Sequence, residues 1–302
     1  MPKNLIIITG PTGIGKTAAG ITLAKHLKTE IVSADSRQIY KELSIGTAVP
    51  SSEELSEVKH HFIHSHSIHE NYNASRYETE ALALLDKLFN QFDQVVMVGG
   101  SMLYIDAICK GIDTMPDVDQ EIRLSLKEQL KSEGLESLRL QLKKLDPEYY
   151  FNVDLKNPAR IVHALEICLM TGKPYSEFRS NPQKERPFRI LKIGLNCERE
   201  ELHRRINQRV DKMVQAGLEN EARSVHPLKH LNALNTVGYR EWFSFFDGEI
   251  TREKAIELIK RNSRRYARKQ LTWFRNDPEM NWFEPFQISE MINFVESQIK
   301  KS

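Results

Sequence analysis

The chain opens with an unbroken apolar run, LIIIT at residues 5–9. A glycine-bearing segment follows, then TAAGITLAKHL at residues 17–27, where apolar positions recur at helical spacing. A short β-branched run predicts a buried strand, and a period near 3.6 predicts a helix. The alternation continues: residues 30–34 read as strand, 76–90 as helix and 94–98 as strand. This pattern predicts an α/β class, a doubly wound parallel-sheet core. The character changes after Pro116. Residues 117–146 are charged, with Ile122, Leu126, Leu130, Leu135, Leu138 and Leu142 at helical spacing. NPARIVHALEICLMTG, residues 157–172, opens with Asn-Pro and closes with Gly, which are helix start and stop signals. Residues 179–188 form a polar, proline-bearing linker, and residues 189–197 return to strand character. The expected organisation is a core made of 1–115 and 186–302, ending in helices, with a mostly helical insertion at 116–185.

Composition narrows the class. The chain has 302 residues and 40% hydrophobic content, enough for a sizeable core. No apolar run approaches a membrane span, and LIIIT is too short for the apolar region of a signal peptide. Cys109, Cys168 and Cys197 are scattered, with neither metal spacing nor an even-numbered framework, so a reduced, cytoplasmic protein is expected. A net charge of +2 does not by itself announce nucleic acid. The distribution says more. In residues 251–275, Ile256, Ile259, Tyr266 and Leu271 can face inward, leaving Arg261, Arg264, Arg265, Arg268 and Lys269 as basic ridges. Such a helix can lie along phosphates or simply be a solvated face. His60, His61, His64, His66 and His69 crowd one stretch but lack the helical H-x-x-x-H pattern with a glutamate between. They read as a loop or sheet edge rather than a metal site.

The candidate chemistry begins at residues 10–17, GPTGIGKT. Gly10, Pro11, Thr12, Gly13, Ile14, Gly15, Lys16 and Thr17 fit G-x-x-x-x-G-K-[ST] between a strand and a helix, the context that gives the motif its meaning. Backbone N–H groups and the helix N-terminus can cradle phosphates, Lys16 adds a point charge, and the Thr17 hydroxyl can ligand Mg²⁺. The loop names no reaction. The strand at 94–98 ends in Gly99-Gly100 rather than a carboxylate, whereas EIVSADS at 30–36 ends in Asp35. An acid at that strand end can be a general base, a metal ligand or a turn residue.

Several stretches then combine in order: GPTGIGKT, SADSRQIY, IGTAVPS, VGGSMLYI, NPARIVHALEICLMTGKP, RINQRVDKM, NTVGYREW and KRNSRRYARKQLTWFR. Together they resemble the bacterial tRNA dimethylallyltransferases, also called tRNA isopentenyltransferases, over residues 5–283. The resemblance implies transfer of a dimethylallyl group from dimethylallyl diphosphate to N6 of adenosine 37 of tRNA. Diphosphate would leave, held by the loop and Mg²⁺. It implies catalytic roles for Asp35, Lys16, Thr17 and an arginine of the 205–209 segment, with Arg209 favoured over Arg205. It implies tRNA contacts at Asp35, Ser36, Arg37 and Gln38, at Ser101 and Arg123, and at Ala159, Arg160, Ile161, Val162 and His163. The insertion would clamp the anticodon stem-loop, the 260–275 helix would add phosphate contacts, and a monomer is expected.

Some positions depart from the family pattern. Ser101 and Met102 stand in a usual Thr-Gly pair, His163 where Arg is common, Ser263 where Thr is usual, and Arg268-Lys269 in reversed order. None touches the phosphate loop or Asp35. Three rivals share parts of the pattern: a prenyltransferase acting on free adenine nucleotides, a small-molecule kinase, and a non-catalytic RNA-binding protein with a vestigial loop.

Overall fold

The computed structural model describes residues 2–113, 115–116, 119–179 and 184–301. Residues 117–118 of the expected helical stretch and 180–183 of the expected linker lie outside the described residues. The chain divides into two compact units, residues 1–109 with 185–302, and residues 110–184.

The first unit begins with β1 (Asn4–Thr9), α1 (Lys16–Leu27), β2 (Ile31–Ala34), α2 (Ser52–Glu57), β3 (His60–His61), α3 (Ala74–Phe89), β4 (Gln94–Gly99) and α4 (Met102–Lys110). The second unit holds α5 (Gln120–Ser132), α6 (Gly134–Leu145), α7 (Pro147–Asn152) and α8 (Pro158–Thr171). The chain then returns to the first unit through β5 (Arg189–Leu195), α9 (Arg199–Gln215), α10 (Leu218–Val225), α11 (Tyr239–Phe246), α12 (Arg252–Arg275), β6 (Asn281–Phe283) and α13 (Ile288–Lys300).

The six described strands form one sheet in the order β3-β2-β4-β1-β5-β6, and every pairing is parallel. This is the P-loop doubly wound α/β fold. Apolar residues on both faces explain why the strands read as continuous runs. Leu5 and Ile7 of β1 join the core on one face with Val32, Val95 and Met97, while Ile6 and Ile8 join the other with Ile31, Val96 and Ile193. The chain moves from β1 to β2 past β4 and later places β5 on the other side of β1, so the order switches around β1. The loops at the carboxyl ends of β1, β2 and β4 meet at that point, where such sheets hold ligands. Edge strand β3 lies in the histidine stretch read as a loop or sheet edge, whereas β6 was not anticipated, because three residues are too short for periodicity to register.

In the second unit the charged stretch expected as helical is two helices. Gly134 adopts φ 80°, a left-handed value that ends α5 and turns the chain into α6. Leu126, Leu138 and Leu142 pack on Ile161, Leu165 and Ile167 of α8, the unit's own core. The N–H of Lys184 donates to the Lys110 carbonyl at 3.0 Å, so this unit leaves and rejoins the chain at one narrow neck. Just beyond, within the first unit, Arg186 donates to the Ala107 and Ile108 carbonyls and pairs with buried Glu78 at 2.8 Å.

Candidate active site

The phosphate loop runs from β1 into α1. At Gly10 the backbone adopts φ 144°, and a Cβ there would lie 2.4 Å from the Leu195 carbonyl oxygen, so only glycine passes this strand end. Lys16 Nζ donates to the carbonyls of Gly10 at 3.0 Å and Pro11 at 2.9 Å, laying the ammonium over the loop. Burial first, and then the positive charge of Arg209, lower the Lys16 pKa to about 7, with Asp35 pulling the other way. Burial likewise lowers the Arg209 pKa against the opposing pull of Asp35. Lys16, Asp35 and Arg209 therefore share one electrostatic environment.

A cavity of about 270 Å³ in the first unit brings Thr12, Asp35, Ser36, Arg37, Arg209 and Tyr266 to a common space. Asp35 Oδ1 accepts the N–H groups of Arg37 at 2.9 Å and Gln38 at 3.3 Å. It is thus a turn residue and a cavity residue at once, and among the described residues no hydrogen-bond donor reaches its Oδ2. Tyr266, one of the residues expected to face inward, lines the cavity. Burial and then the Asp35 charge push its phenol up to about 12, so it remains a neutral hydrogen-bond donor across the physiological range.

The two candidate arginines differ in placement. Arg209 lines the cavity, whereas Arg205, one turn earlier on α9, pairs with Glu201 at 2.7 Å and donates to the Ile14 carbonyl of the phosphate loop at 3.4 Å. The other expected positions divide by environment. Arg37 lines the cavity while its guanidinium donates to the Asn232 and Ala233 carbonyls, at 3.1 Å and 2.9 Å. The Gln38 side chain turns away and donates to the carbonyls of Thr47 and Ala48. Ser101 is buried. Its Oγ accepts the Ser36 N–H at 2.7 Å and donates to the Ser36 hydroxyl at 3.1 Å, so it braces the Asp35 turn from behind. Met102 packs against the core and does not line the cavity.

In the helical unit, Ala159 and Arg160 are exposed and His163 is half-buried. Ile161 is 0% exposed and Val162 8%, so both side chains pack in the unit's core, next to the exposed Ala159 and Arg160. The Arg123 guanidinium makes 2.7 Å and 3.2 Å bonds to Glu166, a carboxylate only 3% exposed. Burial alone would raise the Glu166 pKa. Hydrogen bonds from His163 and Arg123, and the Arg123 charge, outweigh it and bring the carboxyl down to about 2.

Three features went unread in the sequence. Residues 235–238, Asn-Thr-Val-Gly, form part of the cavity wall. Glu221 accepts the N–H groups of Ser44, Ile45 and Gly46 at 2.9, 2.8 and 2.8 Å and the Tyr239 hydroxyl at 2.6 Å, fixing the 44–47 rim. Gln270 is buried beside the phosphate loop. Only the quoted NTVGYRE and RKQ stretches pointed toward these regions, without roles.

A separate groove of about 810 Å³ lies along α9 and α12, also in the first unit, lined by Arg199, Arg261, Arg264, Arg265, Arg268 and Arg275. Arg199, Arg265, Arg268 and Arg275 have no ion-pair partner among the described residues, whereas Arg204 and Arg252 elsewhere on the surface are paired with glutamates. Of the histidine stretch, His60 and His61 form edge strand β3, and His61 bonds Glu30 at 2.6 Å. No helix among the described residues is long and apolar enough to cross a membrane.

Comparison with known proteins adds an independent line. Residues 38–277 match the family model described as IPP transferase. The chain is similar to tRNA dimethylallyltransferase 1 of Phocaeicola vulgatus, 54% identical over 297 residues, covering 98% of this chain and 99% of that one. It is also similar to the solved full-length tRNA isopentenylpyrophosphate transferase of Bacillus halodurans, at a TM-score of 0.73 and 34% identity, covering 99% of this chain and 97% of the other. A eukaryotic dimethylallyltransferase acting on tRNA shares the fold at a TM-score of 0.79 and 24% identity, covering 94% of this chain and 74% of that one.

Proposed function

The chain belongs to the IPP transferase family, and from that premise we propose that it is a tRNA dimethylallyltransferase. It moves the dimethylallyl group of dimethylallyl diphosphate to N6 of adenosine 37, in the anticodon loop of tRNA. The observation that carries this reading is the cavity that joins Asp35 to Thr12 of the phosphate loop and to Arg209. A base-sized polar space ending on a diphosphate cradle suits attack on an allylic carbon better than transfer of a phosphoryl group.

An exocyclic adenine amine is a weak nucleophile, because its lone pair delocalises into the ring. Asp35 Oδ2 accepts the hydrogen bond of N6 and then its proton. The N6–C1 bond forms as the C1–O bond breaks, and diphosphate leaves with the electron pair. Lys16, Arg209 and the loop N–H groups stabilise the charge that grows on diphosphate. Holding both substrates in line supplies much of the remaining acceleration. The neutral Tyr266 phenol and the 235–238 wall hold the base, which must leave the anticodon stack to enter.

Among the described residues no cluster of three or more His, Cys, Asp or Glu is placed to hold a metal. Mg²⁺ is proposed to arrive with its substrate, since this ion keeps waters and substrate phosphate oxygens as its main ligands. The Thr17 hydroxyl and the diphosphate oxygens would hold it. When bound, it neutralises part of the leaving-group charge.

The unpaired arginines of the α9–α12 groove suit RNA phosphates, and exposed Ala159 and Arg160 of the helical unit suit the anticodon stem-loop. His163 and Arg123 would support that surface. The protein is proposed to act in the cytoplasm as a monomer. The test is an incubation with Mg²⁺, dimethylallyl diphosphate and unmodified tRNA, followed by nucleoside mass spectrometry. One dimethylallyl group on adenosine 37 is expected. Product on AMP alone, or ATP consumption alone, would replace this reading with one of its rivals.

A further inference from the structure

α12 carries one polar side chain that faces neither solvent nor the cavity. Gln270 is 2% exposed, on a helix otherwise dense in charge. Its Oε1 accepts the N–H of Thr12 at 2.8 Å, and its Nε2 donates to the Gly100 carbonyl at 2.8 Å. Both partners are backbone groups of fixed polarity, so the amide can sit only one way round. Thr12 belongs to the phosphate loop. Gly100 follows β4, and a Cβ there would lie 2.4 Å from Gln270 Nε2 and 3.5 Å from Lys16 Nζ. Next in sequence, Ser101 holds the Ser36 N–H beside Asp35. A continuous buried path therefore runs from the loop through Gln270 and the 99–101 turn to the base.

We propose that Gln270 is a positioning residue that fixes the spacing between the diphosphate cradle and Asp35, and so aligns leaving group with nucleophile. This rests on the dimethylallyl-transfer reading above. The role demands an acceptor and a donor on one planar group. A carboxylate would face the Gly100 oxygen with a second oxygen, and a thioether would leave the Thr12 N–H and the Gly100 carbonyl unmatched in a dry site. A misplacement of about 1 Å remote from the reacting atoms is enough to cost about 10²-fold in rate.

The experiment compares Gln270→Met and Gln270→Glu with the parent enzyme, each checked for folding by thermal melting. Steady-state kinetics are measured on both substrates, with tRNA affinity measured separately. Gln270→Met is expected to lose about 10²-fold in kcat and to raise KM for dimethylallyl diphosphate about tenfold, with tRNA Kd within about twofold. Gln270→Glu supplies the decisive readout. In its neutral form the introduced carboxyl accepts from Thr12 and donates to Gly100, as the amide does, so its activity relative to the parent should recover as pH falls from 8 to 6. Lowered melting temperature with unchanged KM and kcat per folded enzyme would overturn the proposal, as would a deficit in Gln270→Glu that ignores pH. An inactive parent would instead sink the reaction assignment, which keeps the two failures distinct.

Discussion

The cavity and the helical unit both bury charge, and they do so in opposite ways. In the helical unit Glu166 meets Arg123 and His163, and its pKa falls to about 2 because its charge is welcomed. Beside the cavity the Lys16 pKa falls to about 7, first because burial disfavours its charge and then because the Arg209 charge repels it. A paired buried charge is a structural tie. A crowded pair of cations is a cost that an anionic ligand relieves. The sign and cause of the shift, more than its size, separate the site from the scaffold.

The largest effect belongs to the base. Asp35→Asn keeps the turn's acceptor oxygen but not the basicity, and should lower kcat by about 10³-fold while tRNA Kd stays within about threefold. Single-turnover rates beside a filter-binding assay would show it, and near-normal turnover would remove Asp35 from the chemistry. Next comes a contrast on a single helix. Arg209→Gln is expected to lower kcat/KM for dimethylallyl diphosphate about 10²-fold, and Arg205→Gln less than about threefold, since only the former lines the cavity. Equal losses would erase the distinction.

In the scaffold, Arg123→Gln leaves Glu166 buried with one partner fewer, which costs about 1–3 kcal/mol, seen as a lowered melting temperature at pH 7. Glu166 lies below its ordinary value of 4.5, so its contribution is present above pH 4.5 and fades as pH falls toward 2. In the variant that acid loss should begin at higher pH. Lys16 carries the smallest effect and the opposite sign. Between about pH 7 and 10.5 the unfolded chain holds a proton on this lysine that the folded protein does not, so its contribution to stability rises with pH across that window. Diphosphate binding at pH 8 should recharge it and take up a fraction of a proton, visible as buffer-dependent heats in titration calorimetry. Lys16→Met should abolish that uptake and raise the melting temperature by about 2 °C.

The phosphate loop and Asp35 were legible because both are local: a glycine pattern between strand and helix, and an acid at a strand end. Arg209 could be preferred but not separated from Arg205, since i,i+4 neighbours share a face; Glu201, one turn before Arg205 on the same helix, is a local partner, whereas the cavity that Arg209 lines is built by tertiary packing. A motif match carries the whole 159–163 segment alike, while helical geometry buries Ile161 and Val162 and exposes the two positions before them, a difference that the match itself does not show. Gln270 was hidden among arginines and lysines. Nothing local marks an amide whose partners lie 258 and 170 residues away in the chain.

The neck at Lys110 and Lys184 has a consequence for how the molecule comes apart. An excursion whose two ends are joined by the Lys184–Lys110 backbone hydrogen bond has already had its loop closed, so its melting returns little chain entropy to the sheet. Arg186, Glu78 and the end of α4 hold the return point from the sheet's own side. The helical unit is then a module hung on a stitched seam. Calorimetry should resolve its unfolding as a transition apart from that of the sheet, and a module of different length could hang from the same stitches without disturbing a single strand.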